Sequence, residues 1–228
     1  KKRVAAKIKD DGKYIAYFQA FTNTYAPTRK LREVFTEAIN HPDIVAISVA
    51  TRPDCLPEDV LDLLFELNKI KPVWVELGLQ TIHEKTAEYI RRCYPLSGYD
   101  KAVDELKKRN INVITHVILG LPGECEEDML QTVKYVCDKG TDGIKLQLLH
   151  VLKGTDLAKD YADGKFKCLE MDEYIELVVK CLSIIPKDIV IHRMTGDGDK
   201  KILIAPEWSG DKKKVLNTLT KSIQENHP

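Results

Sequence analysis

Two polar positions flanking a glycine in the stretch Val73–His83, V-W-V-E-L-G-L-Q-T-I-H, are the first residues whose types and spacing could do chemistry. The period-2 alternation puts Val73, Val75, Leu77 and Leu79 on one side of a strand, and Trp74, Glu76, Gly78 and Gln80 on the other. A strand covered on both faces is apolar throughout, so a carboxylate, a glycine and a carboxamide in a row require a reason. Glu76 and Gln80 can accept hydrogens from ammonium and hydroxyl groups. Gly78 between them leaves room for a ligand to lie against the strand. The competing reading is a solvent-facing edge strand with no site.

Similar positions recur elsewhere: Ala46 and Ser48 in I-V-A-I-S-V-A, His116 in N-V-I-T-H-V-I-L-G, and Lys145 and Gln147 in G-I-K-L-Q-L-L-H. Strands are expected to start near residues 14, 44, 73, 112, 143 and 189. Between them, 3.6-period stripes predict helices over 28–40, 58–70, 84–92, 99–109, 126–139 and 171–185. Pro27 and Pro57 suit helix starts, and Gly140 suits a helix end. This beat of about thirty residues is the βαβ unit, which builds a parallel sheet covered by helices. No G-x-G-x-x-G follows the first strand, as a dinucleotide-binding open sheet would need. In an open sheet the recurring polar residues would be buried without partners, whereas in a barrel they face the lumen. A barrel is therefore favoured, with its site at the strand C-terminal ends. Those ends carry the unusual loops F-T-N-T-Y, T-R-P-D-C, Q-T-I-H, G-L-P-G-E, H-V-L-K-G-T and R-M-T-G-D-G.

The 228 residues suffice for one domain of this kind. Lys+Arg and Asp+Glu both number 35, so no net field favours nucleic acid or a membrane; nucleic acid is unsupported rather than excluded. No apolar run reaches membrane-spanning length and no signal peptide opens the chain, so a soluble, cytoplasmic protein is expected. Val4, Ala5 and Ile8 read as the end of a helix before Asp11-Gly12, and the natural protein is expected to begin further upstream. The six cysteines are scattered, forming neither a zinc knuckle nor a C-x-x-C pair, and are expected reduced, with Cys137 and Cys181 buried. A short apolar segment at 202–205 and a helix near 213–225 close the chain.

Taken together, Y-I-A-Y-F-Q-A-F-T-N-T-Y-A-P, T-R-P-D-C, W-V-E-L-G-L-Q-T-I-H, T-H-V-I-L-G-L-P-G-E, H-V-L-K-G-T and H-R-M-T-G-D-G resemble the radical S-adenosylmethionine (SAM) proteins. Within them the likeness is to the bacterial Fe–S oxidoreductase group, related to the radical-SAM domains of the elongator catalytic subunit and of oxygen-independent coproporphyrinogen oxidase. The resemblance spans about residues 1–210. It implies an α/β fold, a partial (β/α)6 TIM-like barrel over 1–195 lacking its first strand and cluster loop, with a C-terminal extension over 196–228. It further implies a 4Fe–4S cluster held by C-x-x-x-C-x-x-C, a triplet this chain does not contain and which is expected upstream of Lys1. The chain alone is expected neither to hold the cluster nor to cleave SAM, and to supply no metal ligand. In the whole enzyme an electron donor such as flavodoxin or ferredoxin would reduce the cluster. SAM would then yield a 5′-deoxyadenosyl radical that takes hydrogen from an unknown small or macromolecular substrate.

Carried over by resemblance, Gln19, Ala20 and Thr22 occupy the turn that binds the methionine amino group, with Gln19 and Ala20 where relatives have glycines. Ser48 and Arg52 fall where SAM's carboxylate or ribose is met, Glu76 and Gln80 at its ribose and amino group, and Ile118 and Gly120 beside the adenine. His116, Lys145, Gln147, His150, His192 and Arg193 fall on the substrate side, and their basic character suits an acidic or phosphate-bearing substrate. Plainer roles compete: Arg52 paired with Asp54, Glu76 with Lys145, Arg193 with Asp197 or Asp199, and His116 as a core residue. Two other functions compete as well. One is an ordinary α/β-barrel lyase or hydrolase using Glu76, His116 and Lys145; the other is a non-catalytic binding module.

Overall fold

A computed structural model describes residues 12–19, 21–196 and 198–226. The helix end expected over the first ten residues, and Ala20 and Asp197, lie outside the described residues. The strands are β1 (Tyr14–Phe18), β2 (Ile44–Thr51), β3 (Val73–Gln80), β4 (Asn112–Leu119), β5 (Gly143–Leu148), β6 (Val151–Leu152), β7 (Val190–Arg193) and β8 (Leu203–Ala205). The helices are α1 (Thr28–Asn40), α2 (Glu58–Asn68), α3 (Glu84–Tyr89), α4 (Leu96–Lys108), α5 (Glu126–Asp138), α6 (Asp156–Ala162), α7 (Met171–Ile184) and α8 (Lys212–Asn226). Six strands form one sheet in the order β1-β2-β3-β4-β5-β7, and the pairings β1–β2, β2–β3 and β5–β7 are parallel. Among the described residues no helix is long and apolar enough to cross a membrane.

Local chemistry explains the boundaries. Pro27 and Pro57 immediately precede α1 and α2, where a missing N–H costs nothing. The α5 start has Glu126, Glu127 and Asp128 in its first turn, facing the positive helix end, and Asp128 Oδ2 accepts from Cys125 N at 2.9 Å. Glu173 does the same at the head of α7, accepting from Glu170 N at 2.8 Å. Helix α4 begins at Leu96, three residues before the expected start at 99, because a helix can start one residue after a proline. Two elements went unread. Helix α6 has no buried residue and therefore no apolar stripe. The antiparallel pair β6–β8 is too short to show a period, and joins Val151 to Ala205 and Leu152 to Leu203.

The chain divides into two compact units, residues 1–78 with 97–114, and residues 79–96 with 115–228. In the first, Leu31, Phe35 and Ile39 of α1 and Leu63, Leu64 and Leu67 of α2 are buried, as are Val75 and Leu77 of β3. Phe18 meets Phe35 edge-on at 4.9 Å. In the second, Val133 and Val136 of α5, Tyr174 and Val178 of α7 and Leu219 of α8 form the apolar interior. Cys181 is buried with them and Cys137 is half-buried. Burial pushes their thiols up to about 12 and about 11, so neither is a thiolate near neutrality. Iodoacetamide at pH 8 is therefore expected to modify the exposed Cys93 and Cys125 first and Cys181 only on unfolding. Peptide mass mapping checks this order, and early modification of Cys181 would contradict the packing.

Candidate functional site

In the first unit the polar positions of β1, β2 and β3 converge. Tyr17 stands opposite Ser48 in the β1–β2 ladder, and Ser48 stands opposite Trp74, two residues before Glu76. Diagonal neighbours on one face lie within reach of long side chains. Tyr17 Oη donates to Glu76 Oε2 at 2.9 Å, and Ser48 Oγ donates to Glu76 Oε1 at 2.7 Å. Glu76 is 3 % exposed, so the face that broke the apolar rule is an interior one and not a solvent-facing edge. Its carboxylate oxygens are held by two hydroxyls at fixed positions.

The loops at this end are tied to one another. Asn23 donates through its backbone N and its Nδ2 to Ala50 O, at 3.1 and 2.9 Å, anchoring the loop after β1 to the end of β2. Thr24 Oγ1 reaches Thr51 Oγ1 and Cys55 O. Arg52 grips Asp54 with Nε and Nη2 at 2.9 and 2.7 Å, which holds the Asp54 carboxyl below its usual range. That ion pair is the plainer of the two roles expected for Arg52. Gln19 is exposed and Thr22 half-buried, while Ala20 falls outside the described residues.

The second unit holds the end of β3 and the remaining positions. Gln80 adopts φ +73°, a left-handed value that a side chain rarely takes, and its Oε1 is buried with no hydrogen-bond partner among the described residues. Gln147 Nε2 lies 3.1 Å from His116 Nδ1 across β5 and β4, so His116 is engaged with a neighbouring side chain. Lys145 is buried and stands in register with Arg193 in the β5–β7 ladder. Gly120, at φ +85°, donates its N–H to Met129 Sδ at 3.0 Å, and a Cβ there would come within 3.1 Å of Leu169. Ile118 is half-buried and His192 exposed. His150 rests against two glycines: a Cβ on Gly196 would fall 2.2 Å from its Cε1, and one on Gly198 2.8 Å from its Nδ1.

Sequence reasoning did not single out Tyr17, which bonds Glu76, or Thr81, Arg92 and Glu124, which bond one another. Thr81 and Glu124 stood inside motifs that were recognised, but Arg92 carried no local signal.

Residues 2–136 match the Radical SAM superfamily and residues 141–225 the Radical SAM C-terminal domain. The Bacillus subtilis protein YtqA is 50% identical over 224 residues, 98% of this chain and 69% of that protein. A tRNA uridine(34) acetyltransferase of Methanocaldococcus jannaschii is 28% identical over 186 residues, covering 80% of this chain and 33% of that protein. Among solved structures, the archaeal Methanocaldococcus infernus Elp3 has a TM-score of 0.80 at 21% identity, covering 97% of this chain and 57% of that one. At that identity the likeness shows the fold, which is the α/β partial barrel expected from the sequence. The chain belongs to the radical SAM superfamily, whose members work with a 4Fe–4S cluster and SAM.

Proposed function

We propose that this chain is the SAM-holding part of a radical SAM enzyme whose substrate is a nucleobase of tRNA. When bound, the cofactors supply one-electron cleavage of the sulfonium and removal of a hydrogen atom from the substrate. The chain's own residues bind and orient. In the first unit Glu76 accepts from SAM's ammonium or ribose hydroxyls; in the second Gln80 can accept from the same groups, and Ile118 and the Gly120 carbonyl take the adenine. Ser48 buttresses Glu76, and Arg52 stands at the loop mouth beside Asp54. The observation that carries this reading is the buried, unpartnered Gln80 Oε1 on the polar face of β3, which fits a ligand bringing an N–H or O–H donor. The three cysteines that hold the cluster belong, in this reading, to the rest of the protein.

For the substrate, support comes from the tRNA-modifying relative and from the basic His150, His192 and Arg193, which suit a phosphate-bearing polymer. The test is anaerobic incubation of the full-length, cluster-loaded protein with SAM, a reductant and bulk tRNA. 5′-Deoxyadenosine and digested nucleosides are then read by mass spectrometry. tRNA-stimulated 5′-deoxyadenosine together with a nucleoside of new mass is the expected result. Formation of 5′-deoxyadenosine that tRNA does not stimulate would overturn the substrate class and leave the cofactor reading standing.

A further inference from the structure

The left-handed backbone at Gln80 is not closed by a glycine, so something else must hold it. Thr81 N donates to Leu79 O at 3.0 Å, making a three-residue γ-turn centred on Gln80. With a positive central φ this turn is the rare, strained form. Thr81, fully buried, is fixed from three directions. Its Oγ1 donates to Glu124 Oε1 at 2.5 Å and accepts from His83 N at 3.1 Å, while its carbonyl takes Arg92 Nη1 at 2.6 Å. Arg92 is equally committed. Its Nε donates to Tyr94 O at 2.9 Å and its Nη2 to Glu84 Oε2 at 2.9 Å, and its side chain is 2% exposed. Glu124 has its other oxygen buried without a partner among the described residues, and burial lifts its carboxyl above the usual range. Thr81, with the Thr86 hydroxyl and the His83 ring nearby, is what favours the charged form of Glu124 against that burial.

We propose that Glu124 and Arg92 are positioning residues: they clamp Thr81, hold the strained turn at Gln80, and so aim the Gln80 carboxamide at the cofactor. The proposal rests on the reading that Gln80 meets SAM. A turn free to relax would move the side chain to an ordinary rotamer on a β backbone, away from the polar face of β3. Neither Glu124 nor Arg92 touches the ligand in this scheme.

The test uses full-length protein without turnover, with SAM affinity measured by equilibrium dialysis and hydrogen–deuterium exchange followed in peptides over 79–83. Glu124→Ala is expected to weaken SAM binding about tenfold and to speed exchange there. Glu124→Gln, whose oxygen still accepts from Thr81, restores most of both. Thr81→Val behaves as Glu124→Ala. In a Gln80→Ala background, Glu124→Ala is expected to cause no further loss, because it acts through Gln80. Equal losses in both backgrounds, or unchanged SAM affinity in a folded Glu124→Ala, would overturn the proposal. If Gln80→Ala alone binds SAM normally, the reading beneath it fails instead, and faster exchange in Glu124→Ala then marks the clamp as purely structural.

Discussion

Glu76→Ala is expected to weaken SAM binding by the full-length protein about a hundredfold, the ~2.7 kcal/mol of a lost hydrogen bond between charged groups. It is also expected to lower folding stability by roughly 1–3 kcal/mol. The two losses have separate causes. Ser48 is 3% exposed, so removing Glu76 leaves its hydroxyl buried without the acceptor it now has at 2.7 Å. Tyr17 is 40% exposed and can turn to water, so its share is small. Glu76→Gln separates the effects: the carboxamide still accepts from a hydroxyl and keeps most of the stability, but no longer attracts an ammonium group by charge. Urea titration and equilibrium dialysis on the same samples read both quantities. Full SAM affinity in Glu76→Ala, alongside the stability loss, would confine Glu76 to bracing the sheet.

Gly196→Ala is expected to cut tRNA-dependent 5′-deoxyadenosine formation by more than about tenfold while leaving SAM affinity unchanged. The new methyl would occupy the space of the His150 ring, 2.2 Å from Cε1, and the Gly198 backbone closes another side of it. The ring has to swing out, and the overpacking costs roughly 1–3 kcal/mol. Pairing the change with His150→Ala removes the collision, so the double variant recovers stability but not turnover. Activity that survives displacement of His150 would take that residue off the substrate side.

Much of this fold was legible because its elements carry their own periods. The six strands of the main sheet begin at or within one residue of the expected positions, and prolines fix the starts of α1 and α2. What stayed hidden is long-range. The hydroxyl of Tyr17 reaches Glu76 across 59 residues of sequence, and Thr81 reaches Glu124 across 43; a one-dimensional pattern contains neither distance.

The positive φ at Gln80 has a consequence for anyone selecting variants of this chain by heat. Glycine would occupy that backbone without steric penalty, so Gln80→Gly relieves a conformational cost on the order of 1 kcal/mol. A thermal screen would therefore enrich glycine at position 80 and discard the one side chain whose buried oxygen has no partner among the described residues. With Gln80 meeting SAM as proposed, melting temperature and cofactor affinity are expected to rank the variants at this position in opposite order.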